Sequence, residues 1–126
     1  MTTKLNSTNF DVVIGNSKKP CVVKFYSRGC YVCRGLAPVY ETLERKYGHK
    51  FNFYSVDTEE SPDTSDPFLD GGVPTIQVFN TGMPPVLIEY PEEPNSVSGY
   101  SMDYLDKWLY FYLVSYSVIK GAKSNE

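Results

Sequence analysis

Apolar positions along the chain change period several times, and the changes mark out elements. Phe10, Val13 and Ile14 fall at helical spacing, with Asn6 or Ser7 as the expected cap and Leu5 opening a short segment before them. Gly15 to Pro20 ends that helix. Cys21-Val22-Val23-Lys24-Phe25-Tyr26 is β-branched and aromatic and is bounded by Pro20 and Ser27-Arg28-Gly29, which predicts a buried strand. Leu36, Tyr40, Leu43 and Tyr47 then recur along one face of a helix, with Glu41, Glu44, Arg45 and Lys46 on the others and Gly48 as its stop. Pro38 lies inside this pattern and predicts a kink, because it lacks an N–H and crowds the preceding turn.

Phe51 to Val56 reads as a second strand, and Asp57 to Asp70 as an acidic loop with one short helix. Val73 to Phe79 is a third strand. Asn80-Thr81-Gly82 forms a hairpin turn, and Val86 to Tyr90 returns antiparallel. Pro91 to Ser98 is loop, after which Ser101 caps a final helix carrying Met102, Leu105, Leu109, Tyr112 and Tyr116 on one face. The order is β-α-β-α-β followed by β-β-α. Strand–helix–strand units favour parallel pairing with right-handed crossovers, and the tight hairpin adds an antiparallel edge. The expected fold is α/β, a small mixed sheet flanked by helices on both faces.

Composition narrows the class. A chain of 126 residues without repeats or long linkers predicts a single domain over 1–126. Hydrophobic content of 41% with 21% charged residues is that of an ordinary globular protein. A net charge of −3 argues against a nucleic-acid surface, which needs clustered Lys and Arg. Three cysteines do not make a secreted disulfide framework. The N-terminus has no apolar signal region. The longest apolar stretch, Trp108 to Ile119, contains Ser115 and Ser117 and falls short of the about 20 residues a spanning helix needs. These features predict a soluble, cytoplasmic protein in a reducing compartment, with no membrane partner.

Cys30-Tyr31-Val32-Cys33 lies where the first central strand hands over to its helix. A helix N-terminus carries partial positive charge and free N–H groups, so a cysteine at its tip ionises more readily than a free one. Cys30 is therefore the candidate nucleophile. Cys33, one turn inward, is the candidate resolving thiol for a mixed disulfide. Two other readings stand beside this one. The pair could be half of a zinc site, although the remaining soft ligands, Cys21 and His49, share no ligand spacing with it. The two residues could also be structural cysteines. Cys21 itself opens the strand, about 20 Å from Cys30, too far for a disulfide, and reads as core. His49 reads as a solvated turn residue. The run Asp57, Glu59, Glu60, Asp63, Asp66, Asp70 lacks EF-hand spacing and reads as a solvated loop.

With Pro38 following the cysteine pair, Val73-Pro74-Thr75 preceded by Gly71-Gly72, and Asn80-Thr81-Gly82 after it, the chain resembles the thioredoxin family over about residues 4 to 113. That resemblance implies a thioredoxin-like fold with an extended C-terminal helix, residues 114–126 lying beyond the family's usual end. It also implies that Pro74 is cis and faces the sulfurs, and that the backbone of Val73 pairs with an extended protein substrate. No organic cofactor or metal is implied, while a separate reductase is needed for recycling.

Four departures from the family bear on mechanism. Gly29 stands where thioredoxins carry Trp, which removes a substrate-facing aromatic. Tyr31-Val32 replaces Gly-Pro, and Tyr31 is the expected substitute contact. Lys24 stands at the strand position of a buried family Asp thought to help deprotonate the resolving cysteine, and Phe53 at the position of its Lys partner. With Arg28 and Arg34, Lys24 is expected to make the site electropositive, lower the Cys30 thiol pKa and make the disulfide a stronger oxidant. The alternative is that Lys24 snorkels to solvent. Finally, Pro91 to Ser96 lengthens a loop, and Trp108, Tyr110, Phe111 and Tyr112 crowd the last helix, as extra core or as a partner or self-association surface.

The leading expectation is a thiol–disulfide oxidoreductase acting on protein disulfides. Glutathione-linked, glutaredoxin-like chemistry is the redox alternative, weakened by the absence of a Gly-Gly-Asp pattern after the hairpin. A non-catalytic binding module on the same scaffold is the alternative outside redox chemistry.

Overall fold

The computed structural model describes residues 2–91 and 99–124, with 117–124 as backbone alone. Five strands form one sheet: β1 (Thr3–Leu5), β2 (Cys21–Tyr26), β3 (Asn52–Asp57), β4 (Thr75–Asn80) and β5 (Met83–Ile88). Their spatial order is β1-β3-β2-β4-β5. β1, β3 and β2 run parallel, and β4 and β5 are antiparallel to their neighbours. The helices are α1 (Phe10–Gly15), α2 (Tyr31–Tyr47), the single turn α3 (Pro62–Ser65) with a 3-10 turn at Asp66–Phe68, and α4 (Met102–Ser124). This is the mixed α/β arrangement of the thioredoxin fold.

Alternation along β2 divides the core. Val22 faces α2 and α4 and packs with Leu36, Tyr40, Leu43, Phe53, Leu105 and Leu109. Cys21, Val23 and Phe25 face the other way, against Phe10, Val56 and Phe79. There the rings of Phe10, Phe25, Phe68 and Phe79 meet at centroid distances of 5.0 to 6.5 Å. Both faces of β2 are buried, which is why it reads as a continuous apolar run.

Several boundaries differ from the periodicity, each for a local reason. The cap of α1 is Asn9, not Asn6 or Ser7; the Asn6 side chain instead accepts from the N–H groups of Thr8 and Asn9 in the preceding turn. The short segment at Leu5 is a three-residue strand that pairs with β3. β4 begins at Thr75, directly after Pro74, which has no N–H for the ladder. β5 spans Met83–Ile88 and not Val86 to Tyr90; Pro84 and Pro85 are tolerated because it is an edge strand.

α2 is continuous through Pro38 and ends at Gly48 in the right-handed region, where a Cβ would meet the Glu44 carbonyl oxygen at 2.7 Å. Close approach, not left-handed geometry, therefore selects glycine there. The expected loop from Pro91 to Ser98 lies, past Pro91, outside the described residues, as do the last two residues of the C-terminal extension.

α4 is capped by Ser101, whose hydroxyl accepts from the Tyr104 N–H at 3.1 Å. Leu105 and Leu109 are its buried anchors, and Met102, Tyr104, Trp108, Tyr112 and Leu113 pack around them. The Asp106 carboxylate receives Lys46 Nζ at 2.7 Å and the Tyr47 hydroxyl, tying α4 to the end of α2. Tyr110, Phe111 and Val114 remain exposed. Truncating an anchor and an exposed aromatic should separate the two faces. Leu109→Ala is expected to lower unfolding free energy by about 2–5 kcal/mol in urea titration. Phe111→Ala should change it by less than about 0.5 kcal/mol.

Candidate active site

Cys30 is the N-cap of α2, and its Sγ accepts from the Cys33 N–H at 3.0 Å. The two cysteines are joined as a disulfide with Cα atoms 5.2 Å apart. Cys33 is buried at 4% exposure while Cys30 is only half-buried, so a partner approaching from solvent meets Cys30 first. The unequal exposure follows from helix geometry, since one turn inward carries the second sulfur beneath the helix.

Across from the pair lies the cis Val73–Pro74 bond, with the Val73 carbonyl oxygen 4.0 Å from Cys30 Sγ. Gly71 and Gly72 precede it at φ 79° and 150°, where side chains are disfavoured. Two hydroxyls hold this loop. Thr75 Oγ1 donates to the Gly72 carbonyl at 2.6 Å and accepts from the Asp70 N–H at 3.2 Å. The Tyr90 hydroxyl donates to the Pro74 carbonyl at 2.6 Å, and its ring stands edge-on to Tyr100. Neither tyrosine was expected at the site. Tyr90 sits just after an apolar strand and carries no periodic signal linking it to Pro74.

Around the sulfurs, Tyr31 is 69% exposed, with the Arg34 guanidinium 5.9 Å from its ring centroid. Gly29 is exposed, lacks a positive φ, and a Cβ added there meets nothing. Conformation therefore does not require glycine at this position. Gly29→Trp is expected to change unfolding free energy by no more than about 0.5 kcal/mol, as is normal for an unconstrained surface site; thermal denaturation checks it.

Lys24 does not reach solvent freely. It is 8% exposed, its Nζ lying 4.8 Å from the Tyr40 ring centroid and 5.6 Å from that of Tyr26. Burial pushes its amine below the ordinary lysine range, opposed by the fields of Glu41 and Glu44. Arg28 is engaged as well. Its Nε forms an ion pair with Asp57 Oδ2 at 3.0 Å, and that buried oxygen accepts no hydrogen bond among the described residues. Asp57, at 1% exposure, is thus not part of a solvated acidic run. Its Oδ1 accepts from the Glu59 N–H at 2.9 Å and the Glu60 N–H at 3.3 Å, turning the chain as it leaves β3. The three cations expected around the site are therefore present but unequal, with Arg28 offset by a buried carboxylate.

Because the folded state disfavours protonated Lys24, the unfolded chain binds more protons between the depressed folded-state pKa and the free-lysine pKa, and stability rises with pH through that interval alone. Lys24→Met is expected to raise the melting temperature at neutral pH. The gain should shrink as pH climbs toward the free-lysine value, which melting curves at several pH values would show.

Cys21 is free and buried on the opposite face of β2, its thiol pushed up by burial. His49 is exposed. No group of three or more His, Cys, Asp or Glu among the described residues is placed to hold a metal ion. No helix among them is long and apolar enough to cross a membrane.

The thioredoxin family model matches residues 1–98, and the chain belongs to the thioredoxin family. It is 31% identical over 78 residues to thioredoxin M-type, chloroplastic, of Pisum sativum, covering 62% of this chain and 45% of that protein. It is 33% identical over 76 residues to a thioredoxin of Borreliella burgdorferi, covering 60% of this chain and 65% of the relative. Protein disulfide-isomerase tigA of Aspergillus niger is 39% identical over 75 residues, 57% of this chain and 21% of its own length. The chain thus spans less than half of the pea protein.

Proposed function

We propose that this protein is a thiol–disulfide oxidoreductase acting on protein disulfides through Cys30 and Cys33. The observation that carries the reading is the half-exposed Cys30 at the N-terminus of α2, bonded to buried Cys33 and opposite the cis Val73–Pro74 loop. In the reduced protein the Cys30 thiolate attacks one sulfur of a substrate disulfide. That bond breaks, and the departing sulfur leaves with its electron pair and takes a proton. Cys33 then loses its proton and attacks Cys30 Sγ, closing the intramolecular disulfide and releasing the second substrate thiol. Two electrons and two protons have passed to the substrate. A separate reductase of the oxidised pair completes the cycle, and the exchange itself calls for no organic cofactor or metal.

Val73 offers its backbone to an extended substrate, held in place by Thr75 and Tyr90, while Tyr31 and the open surface at Gly29 flank the sulfurs. Lys24 and Arg34 favour thiolate over thiol, which stabilises the reduced form and makes the disulfide more oxidising than the about −270 mV of thioredoxin. A separate binding role is favoured by one feature, the exposed Tyr110 and Phe111 on α4, and it is independent of the cysteines.

Dithiothreitol-driven reduction of insulin disulfides tests the reading. Wild-type protein should turn over, Cys30→Ser should fall to the uncatalysed background, and Cys33→Ser should accumulate a mixed disulfide visible by mass. Background rates from wild-type protein would overturn general reductase activity.

A further inference from the structure

A cavity of about 380 Å³ lies beside the cis-proline loop, and a larger groove of about 840 Å³ runs between α2 and α4. The third notable cavity, about 310 Å³, opens directly beside the redox pair. Cys33 and Ala37 of α2 form one wall and Tyr26 another, and Lys24, Arg28 and Arg34 all line it. Among the described residues no carboxylate does. Basic side chains from a buried strand, the active-site loop and the first turn of a helix thus converge on a concave, partly apolar space next to the sulfur of buried Cys33.

We infer that this notch receives an Asp or Glu side chain of the substrate, so that the dithiol prefers protein disulfides flanked by acidic residues. The inference rests on the redox reading above and names its substrate class.

Asp57 engages Nε of Arg28 and leaves the terminal guanidinium nitrogens, while Glu41 and Glu44 act on Lys24 from along α2. Arg34 donates from Nη1 to the Arg28 carbonyl at 3.3 Å and has no ion-pair partner among the described residues. The side chains that line the notch are basic although the chain as a whole is acidic. Lys24 adds a reason for an anion to enter. Its amine is desolvated against two aromatic rings with no carboxylate of the described residues bonded to it, so a substrate carboxylate would supply the counter-charge that burial withholds. The concave, partly apolar wall weakens screening and makes each charge count for more than on open surface.

Two measurements on the full chain decide the matter. The first compares reduction of three synthetic peptides that differ only in the residues flanking a cystine: Glu, Gln or Lys. Wild-type kcat/KM should be about tenfold higher for the Glu peptide than for the Lys peptide at low salt. The difference should shrink at about 0.5 M salt and fall below about twofold in Arg34→Gln. The second compares alkylation of reduced protein by iodoacetate and by neutral iodoacetamide, read as the Cys30 adduct. The iodoacetate-to-iodoacetamide rate ratio should drop severalfold in Arg34→Gln and again in Lys24→Met. Arg34 is exposed, so its variant tests the idea even if Lys24→Met folds poorly. Arg28 is left intact because its loss would strand buried Asp57.

Equal rates for the Glu and Lys peptides in a protein that reduces insulin, or an alkylation ratio unchanged in Arg34→Gln, would overturn the inference. If no disulfide is reduced at all, the redox reading fails instead. The alkylation ratio then still decides the notch, a drop supporting it and no change removing it.

Discussion

Tyr40 couples the helix that carries the cysteines to the two central strands beneath it. Its hydroxyl lies 2.8 Å from the Val22 carbonyl and 2.7 Å from the Tyr54 carbonyl, reaching β2 and β3 at once. Its ring stands edge-on to Phe53 and supports the Lys24 amine on its face. Burial pushes the phenol well above its ordinary pKa, which keeps it a donor. The rest of the apolar stripe on α2 follows the same register. The helix N-terminus is thereby set at the end of β2, and Cys30 is held where the free N–H groups of the first turn point.

The second constraint is the cis-proline loop, which would otherwise be a glycine-rich segment with little to hold it. Thr75 and Tyr90 close it with hydroxyl-to-carbonyl bonds that originate on the sheet side and beyond β5. Cysteines and loop thus face one another because two independently anchored segments end at the same edge of the sheet. Loops positioned by a rigid scaffold in this way are the usual place for reacting groups.

Lys24 is the buried cation of the site. A lysine placed on the covered face of a central strand cannot snorkel far, since α2 lies over it; aromatic faces replace water, and the amine is ion-paired to no carboxylate among the described residues. Arg28 solves the opposite problem, bringing a charge to a carboxylate that the turn after β3 has buried. α4 resembles neither, and its long apolar sequence is divided by packing. One stripe completes the core over Val22 and Ile88, while Tyr110 and Phe111 face away, so extra core and exposed surface coexist on one helix.

Periodicity, strand composition and the spacing of Cys30, Cys33 and Pro74 were sufficient for the element order, the α2 face, the two-sided burial of β2 and the place of the candidate site. These are local or short-range properties, written in alternation and in residue types that suit only certain backbones. Tertiary structure alone decided that Lys24 is enclosed and stacked on Tyr40, that Arg28 meets Asp57, and that Tyr90 reaches back to Pro74. It also decided which half of the aromatic surface of α4 is core. Each of these depends on what a distant segment lays over a side chain, and a charged or aromatic residue carries no mark in its own neighbourhood of whether water or protein will cover it.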